Sequence, residues 1–182
     1  MKMVVNRFPS SSAAPFLLQD VQTHLRADDD EELSAVDTMA RAAAHEIEQF
    51  AQIALLTQTI RVKIFDPTQD CGIRLPIGPA DEENPPTVSI DGETFTAFDF
   101  AGGIRPYIHW NSSFQNLTPR LILIEYQAGF GSTASQIPSD LAQAIMDQAA
   151  LHYDGRSPMD AKSLTTSPHM VRIGARYRGV QA

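Results

Sequence analysis

LILIEYQAGFGSTASQIPSDLAQAI, residues 121–145, combines an apolar run, a glycine-rich loop and an amphipathic pattern. The four apolar residues at 121–124 predict a central β-strand, and the spacing over 138–153 predicts a helix. Between them, 129–134 reads G-F-G-S-T-A, which fits the permissive form of the dinucleotide-binding fingerprint. The stretch therefore distinguishes between an alternating α/β nucleotide-binding fold and a fold in which the loop is only a turn.

The glycine-rich loop lacks three features that phosphate binding requires. A phosphate loop opens directly into a helix, whereas Pro138 places the helix start four residues beyond Ala134. Asp154 has roughly the spacing of a ribose-binding acid but lies at a helix end, with no second strand after it. The Gly-Lys-Ser/Thr ending of a P-loop is also absent. We therefore predict a turn and no cofactor. Small-ligand or nucleotide binding through Gly129–Ala134 stays as the weaker alternative.

Two helices are predicted in the first third of the chain. A short one runs from Leu17 to Arg26, and a long one from Leu33 to Ala54 has apolar residues at steps of three and four. The acidic run before the long helix favours its positive N-terminal end, and Asp29 with Glu32 can form a capping box. Its spacing does not match a calcium loop, so no metal site is predicted.

The middle of the chain has the features of short antiparallel strands. Residues 59–65, TIRVKIF, alternate between apolar and basic side chains and predict a half-buried strand. Prolines interrupt 72–87, which allows at most a short edge strand. Asp91-Gly92 predicts a hairpin. Residues 100–111 are predicted to be irregular, with Tyr107 and Trp110 covering a sheet edge.

Because helices and strands fall in separate blocks, the predicted class is α+β. It comprises a short and a long helix, a small antiparallel sheet, a C-terminal helix and an extended basic tail. The predicted division is an N-terminal arm (1–15), a single domain (16–158) and a C-terminal arm (159–182).

Charge is distributed unevenly along the chain. The formal net charge is −8. Residues 160–182 carry Lys162, Arg172, Arg176 and Arg178 against Asp160, a net +3, so the other residues carry −11. A basic tail on an acidic body predicts that the tail meets an acidic surface, such as a neighbouring copy. A solvated, mobile terminus is the alternative.

No pattern in the sequence indicates catalysis. Cys71 is the only cysteine, which excludes an internal disulfide and a cysteine-based zinc site. The five histidines are scattered and form no H-E-x-x-H pair. We therefore predict that the protein is not an enzyme. The start of the chain lacks the apolar run of a signal peptide, so we expect a soluble protein made inside the cell.

Several stretches, in order, resemble the head–tail connector (adaptor) proteins of long-tailed bacteriophages and phage-like gene transfer agents. They span residues 16–178 and read LLQDVQTHLRADDDEEL, IRLPIGPA, IHWN, LILIEYQAGFG, IPSDLAQAIMDQAALHYDGR and ARYR. The family patterns are His-Leu-Arg with an acidic turn, a Leu-Pro…Pro connection, a strand ending in Tyr-x-Ala-Gly, a Pro-led helix and a C-terminal Tyr-Arg. The Pro- and acid-rich stretches DPTQDC and PADEENPPT on either side of the Leu-Pro connection follow no family pattern, and neither does the arm before Phe16.

The resemblance implies a structural virion protein at the neck of a phage-like particle, assembled in the bacterial cytoplasm. It implies a dodecameric ring docked beneath the portal protein and followed by a stopper or tail terminator. Double-stranded DNA would pass through the ring without sequence-specific binding, and no membrane is involved. Arg172, Arg176, Tyr177 and Arg178 are the predicted contacts to portal or a neighbouring subunit. Another neck protein, a head-closure or tail-completion factor, is the nearest alternative.

Overall fold

The computed structural model of the chain describes residues 1–27, 30–155 and 166–178. The described residues form two compact units. The first, which we call the sheet unit, comprises Met1–Ser12 and Thr57–Gly129. The second, the helical unit, comprises Ala13–Leu56 and the described residues from Phe130 onward.

Four α-helices and eight β-strands make up the two units. The helices are α1 (Leu18–Leu25), α2 (Leu33–Ala51), α3 (Ser139–Asp154) and α4 (Pro168–Tyr177). The strands are β1 (Lys2–Pro9), β2 (Gln58–Phe65), β3 (Gly72–Arg74), β4 (Thr87–Ile90), β5 (Glu93–Thr94), β6 (Phe98–Ala101), β7 (Tyr107–Trp110) and β8 (Leu121–Ala128). The predicted α+β class is confirmed.

A five-stranded antiparallel sheet in the order β1-β2-β8-β4-β5 dominates the sheet unit. Its central strand, β8, pairs with β2 over eight residues and with β4 over four. In both β2 and β8 alternate residues are buried, and Val62 lies opposite Ile124 on the buried face. This alternation follows from the period of two in a strand that has one face on a core. The predicted central strand at 121–124 and the predicted strand at 59–65 are both confirmed.

The two ends of this sheet are built differently. At one end, β1 pairs along its whole length with β2, from Lys2 opposite Phe65 to Pro9 opposite Gln58. The predicted arm is therefore in part a strand. At the other end, β4 and β5 form the predicted hairpin. Its turn residues Asp91 and Gly92 have φ of 51° and 96°, as a two-residue turn of this kind requires.

A second, three-stranded sheet in the order β3-β7-β6 completes the sheet unit. The prediction that 100–111 is irregular was wrong, because β7 lies within it and buries Ile108 and Trp110 on alternate positions. An aromatic cluster explains why this segment is regular. Trp110 stacks on Phe114 at a ring-centroid distance of 4.8 Å, and Phe95 and Phe98 contact Trp110 edge-on.

The helical unit has one apolar core. Its fully buried members include Val36, Ala40 and Ile47 from α2 and Leu141 and Ile145 from α3. Each fully buried valine, leucine or isoleucine side chain contributes about 1.5–3 kcal/mol.

The long helix α2 ends at Ala51, three residues before the predicted end. Gln52 caps it in the left-handed region, with φ of 55° and ψ of 46°. The Glu48 side chain then accepts a hydrogen bond of 2.7 Å from the Leu55 amide and fixes the chain in its exit from the helix. Asp29 lies outside the described residues, and so does its predicted capping box with Glu32.

The Tyr126 hydroxyl fastens a connecting segment within the sheet unit. It accepts a hydrogen bond from the Ile77 amide at 3.1 Å and donates one to the Ile77 carbonyl at 2.8 Å. Burial raises the pKa of Tyr126 far above its ordinary value. Because both Ile77 groups are buried, no solvent is available to replace the hydroxyl.

We predict that Tyr126→Phe lowers the free energy of unfolding by about 1–3 kcal/mol, measured by urea denaturation at neutral pH. Tyr107→Phe, at a partly exposed tyrosine in the same unit, should change the free energy of unfolding by about 0.5 kcal/mol or less. Above about pH 10 the Tyr126 hydroxyl ionises in the unfolded wild type but not in the folded state, which lowers the stability of the wild type. The difference in unfolding free energy between the wild type and Tyr126→Phe should therefore narrow there. Equal losses in the two variants at neutral pH would contradict the assigned role.

Candidate partner-binding surface

Residues 168–177, which the sequence analysis assigned to an extended tail, form the helix α4 instead. Ser167 caps it, because its hydroxyl accepts a hydrogen bond from the Met170 amide, and Pro168 occupies the first turn. A capping serine followed by proline is a helix-start signal that the sequence itself contains. The sequence analysis did not use this signal, because it interpreted the segment by its positive charge, as an extended tail that meets an acidic surface.

The inner side of α4 belongs to the core of the helical unit. Met170 and Ile173 are almost completely buried among residues of α2 and α3. Gly174 faces α2 at a distance that leaves no room for a side chain. A β-carbon at this position would lie 2.5 Å from Cδ1 of Phe50. The helix is thus a structural part of the unit, with one side free to serve a partner.

The outer side of α4 presents two of the four predicted contact residues to solvent. Arg172 and Arg176 are one helical turn apart and exposed. Neither forms an ion pair with a described residue, and Val171 beside them is an exposed apolar side chain. Two guanidinium groups at this spacing, next to an apolar contact, suit an acidic protein surface.

The other two predicted contact residues are used at least in part within the unit. The Tyr177 hydroxyl donates a hydrogen bond of 2.9 Å to Oδ1 of Asp140, and its ring meets Phe130 edge-on at 6.0 Å. Burial, reinforced by the Asp140 carboxylate, raises the pKa of Tyr177 to about 12. The Arg178 guanidinium lies 5.5 Å from the centre of the Phe50 ring. The predicted partner role of these four residues stays a prediction.

A buried glutamine connects α4 to both other long helices. Gln148 on α3 is 2 % exposed and Ser167 is 5 % exposed. The Gln148 side-chain oxygen accepts a hydrogen bond of 2.7 Å from the Ser167 amide. Its side-chain nitrogen donates one of 2.7 Å to Oε2 of Glu46 on α2. These two hydrogen bonds of Gln148, which we call the buried relay, fix the position at which α4 begins. They therefore fix the direction in which the arginines of α4 point.

Histidine–carboxylate pairs reinforce the same packing near the surface. Asp147 on α3 contacts His169 on α4 through one oxygen, and its other oxygen lies 3.2 Å from Nε2 of His24 on α1. Nε2 of His152 lies 3.1 Å from Oε1 of Glu46, without the alignment of a hydrogen bond. The sequence analysis described the histidines only as scattered and did not predict this pairing across helices.

Within the part of the chain that the structure describes, no three His, Cys, Asp or Glu side chains converge as metal ligands would. None of the helices formed by residues 1–27, 30–155 and 166–178 is both long enough and apolar enough to cross a bilayer.

Backbone amides of the glycine-rich loop donate hydrogen bonds to a side chain of the same segment. Oε1 of Gln136 accepts hydrogen bonds from the amides of Ser132 at 2.8 Å and Thr133 at 3.1 Å. A β-carbon on Gly131, where φ is 154°, would lie 2.4 Å from the Gln136 side chain. Helix α3 begins only at Ser139. The glycine lets the loop close on Gln136, and the amides that a phosphate would need already have an acceptor.

No protein-family model matches the chain, and the curated proteins gave no match either. Solved structures do match over nearly the whole length. A chain of the "Virion of native gene transfer agent (GTA) particle" aligns with a TM-score of 0.77 and 24% identity, covering 98% of this chain and 97% of that one.

Two neck structures match similarly. They are the "Neck of empty GTA particle computed with C6 symmetry", at a TM-score of 0.75 and 24% identity, and the "Neck of native GTA particle computed with C12 symmetry", at 0.75 and 23%. Coverage is again 98% of this chain and 97% of the other in both. The chain is similar in fold to a component of these particles.

We predict that Gln148→Leu lowers the free energy of unfolding by about 1–3 kcal/mol, because the Ser167 amide and the Glu46 carboxylate lose a buried partner. Thermal and urea denaturation measure this. Gln143→Leu on the same helix removes only a bond to the partly exposed Asp147 and should cost about 0.5 kcal/mol or less. If Gln148→Leu were as stable as Gln143→Leu, the buried relay would not position α4.

Proposed function

We propose that this protein is a structural head–tail connector, or adaptor, of a phage-like particle of the gene transfer agent type. In this role it forms a ring at the neck, docks on the portal and joins the head to the tail. It performs no catalysis and needs no cofactor or metal. The single observation that carries the proposal is the fold match, which extends over 98% of this chain and 97% of the virion chain.

The symmetry of the matching structures supports a ring. The two necks were computed with C6 and C12 symmetry, which are compatible with a single ring of twelve copies. The ordered sequence resemblance to adaptors over residues 16–178 supports the choice of an adaptor among neck proteins. We therefore assign the chain a dodecameric ring in the neck, assembled in the bacterial cytoplasm.

The outer side of α4 is our candidate for the portal contact. Arg172 and Arg176 are exposed and form no ion pair with a described residue, and the core fixes the helix that carries them. A rigid pair of this kind loses little side-chain freedom on binding an acidic groove. The opposite face of the ring would meet the next neck protein, a stopper or tail terminator.

Passage of DNA through the ring agrees with the charge of the chain. A net charge of −8 repels the phosphate backbone, so duplex DNA would slide past the wall without adhering. Sequence-specific binding would instead need a concentrated basic surface.

Removing the gene tests the proposed function. We expect heads that contain DNA but lack tails, and restoration of tailed particles when the wild-type protein is supplied in trans. Electron microscopy counts the tailed fraction, and cross-linking to portal separates an adaptor from a head-closure or tail-completion factor. Normal tailed particles in the deletion strain would refute the proposal.

We predict that Arg172→Glu with Arg176→Glu weakens binding to isolated portal at least about tenfold and leaves the melting temperature nearly unchanged, because both side chains are exposed. Surface plasmon resonance on immobilised portal measures the dissociation constant.

Arg26→Glu with Arg120→Glu is the matched control. It changes net charge by the same amount at two other exposed positions. We expect it to bind portal within about threefold of wild type at physiological salt. Equal weakening in the two double variants would show that net charge, and not the surface of α4, governs portal binding.

A further inference from the structure

Basic and acidic residues are distributed unevenly within the sheet unit. Its strands β1 and β2 contain four basic residues and no acidic one: Lys2, Arg7, Arg61 and Lys63. The rest of the unit contains three basic residues, Arg74, Arg105 and Arg120, against nine acidic ones. One part of the unit therefore carries +4 and the remainder −6.

Sheet order places the basic strands at one edge and part of the acidic residues, Asp91 and Glu93 of the β4–β5 hairpin, at the opposite edge. Because the strands run β1-β2-β8-β4-β5, the basic pair of strands forms one edge and the β4–β5 hairpin forms the other. Glu93 lies on β5 and is exposed. The exposed turn containing Glu82 and Glu83 leads into β4. Asp81 fixes that turn, since its carboxylate accepts hydrogen bonds from the Glu83 amide at 3.0 Å and the Asn84 side chain at 2.8 Å.

Two lysines of the basic strands, and glutamates on β5 and in the turn before β4, are available to a partner. Lys2 and Lys63 form no ion pair with a described residue, and neither do Glu82, Glu83 and Glu93. Arg61, by contrast, pairs with Glu125 at 2.8 Å and lies over the Phe8 ring.

The basic edge is also apolar and unprotected. Strand β1 is eight residues long and pairs with β2 alone among the described strands. Its side chains include Val4 and Val5, each 36% exposed, and Phe8, 45% exposed, and Phe65 of β2 is 40% exposed. Long edge strands with exposed apolar side chains are sites at which another chain adds to a sheet.

We propose that the β1 edge of one copy binds the β4–β5 edge of the next copy. The two surfaces differ and are complementary in charge, so the contact is head-to-tail. Repetition of such a contact forms a ring when the rotation between neighbouring copies closes. This interface rests on the proposed function, to which it adds the surfaces that join the subunits. A second copy is the favoured occupant because it supplies the acidic edge and the apolar side chains need a protein surface. DNA would leave those side chains exposed.

Charge exchange between the edges tests the interface. The basic-edge variant is Lys2→Glu with Lys63→Glu, and the acidic-edge variant is Glu83→Lys with Glu93→Lys. Sedimentation velocity and native mass spectrometry of the full chain measure self-association at low and high salt. We expect each variant alone to associate at least about tenfold more weakly than wild type, and wild-type association to weaken with salt.

An equimolar mixture of the two variants should associate to within about threefold of wild type. In a ring of alternating variants every junction joins opposite charges, whereas either variant alone places like charges together. Lys2→Arg with Lys63→Arg keeps the charge and should associate as wild type does. Circular dichroism melting establishes that each variant is folded.

Unchanged association of both single-edge variants overturns the interface, and so does a mixture that stays as weak as its components. The same variants and the wild type are also supplied in trans to the deletion strain, and the copies of the protein in each particle neck are counted. Wild type absent from the neck contradicts the proposed function itself. If both charge variants are found in the neck at full copy number, that result contradicts only this interface.

Discussion

Strand β8 must pair on both sides at once, and the organisation of the sheet unit follows from that requirement. Its backbone bonds to β2 on one side and β4 on the other, while alternate residues such as Ile122 and Ile124 fill the core. A shift of one residue would expose this apolar set, so the register is fixed. Fixed pairing places the basic strands at one edge and the acidic hairpin at the other. The charge division is therefore a property of the fold, which sequence composition alone does not express.

The helical unit obeys a comparable constraint through a polar side chain. Gln148 has a hydrogen-bond partner on each side in an otherwise apolar core, Ser167 before α4 and Glu46 on α2. A buried amide tolerates few arrangements, because any other packing of α4 leaves it unpaired. Core packing supplies most of the stability, and the glutamine specifies one position for the helix. That position is what makes Arg172 and Arg176 a defined surface.

Much of the fold could be predicted from the sequence where periodicity was long and the local signals agreed. The helices α1 and α3, the strand β2 and the hairpin at Asp91-Gly92 illustrate this. The strands β6 and β7 could not, because Gly102, Gly103 and Pro106 interrupt the pattern and the aromatic cluster that orders them comes from distant positions.

The candidate surface was only partly predictable. Its four residues were recognisable as a basic, aromatic segment, but their division into inner and outer sides depends on the helix. Tyr177 shows the difference most clearly, since its hydroxyl binds Asp140 thirty-seven residues away in sequence. Similarly, the bond from Gln136 to the glycine-rich loop explains a motif whose spacing resembled phosphate binding. The predicted division into arms and one domain remains a prediction.

A ring-forming connector must be a stoichiometric component of the neck. Quantitative mass spectrometry of purified particles, with isotope-labelled peptides of this chain and of the portal, measures the copy number directly. We expect about twelve copies in each particle that has a complete neck, as a single twelvefold ring requires. Purified tailed particles that contain none of the protein, or far fewer copies than a ring needs, would contradict the account.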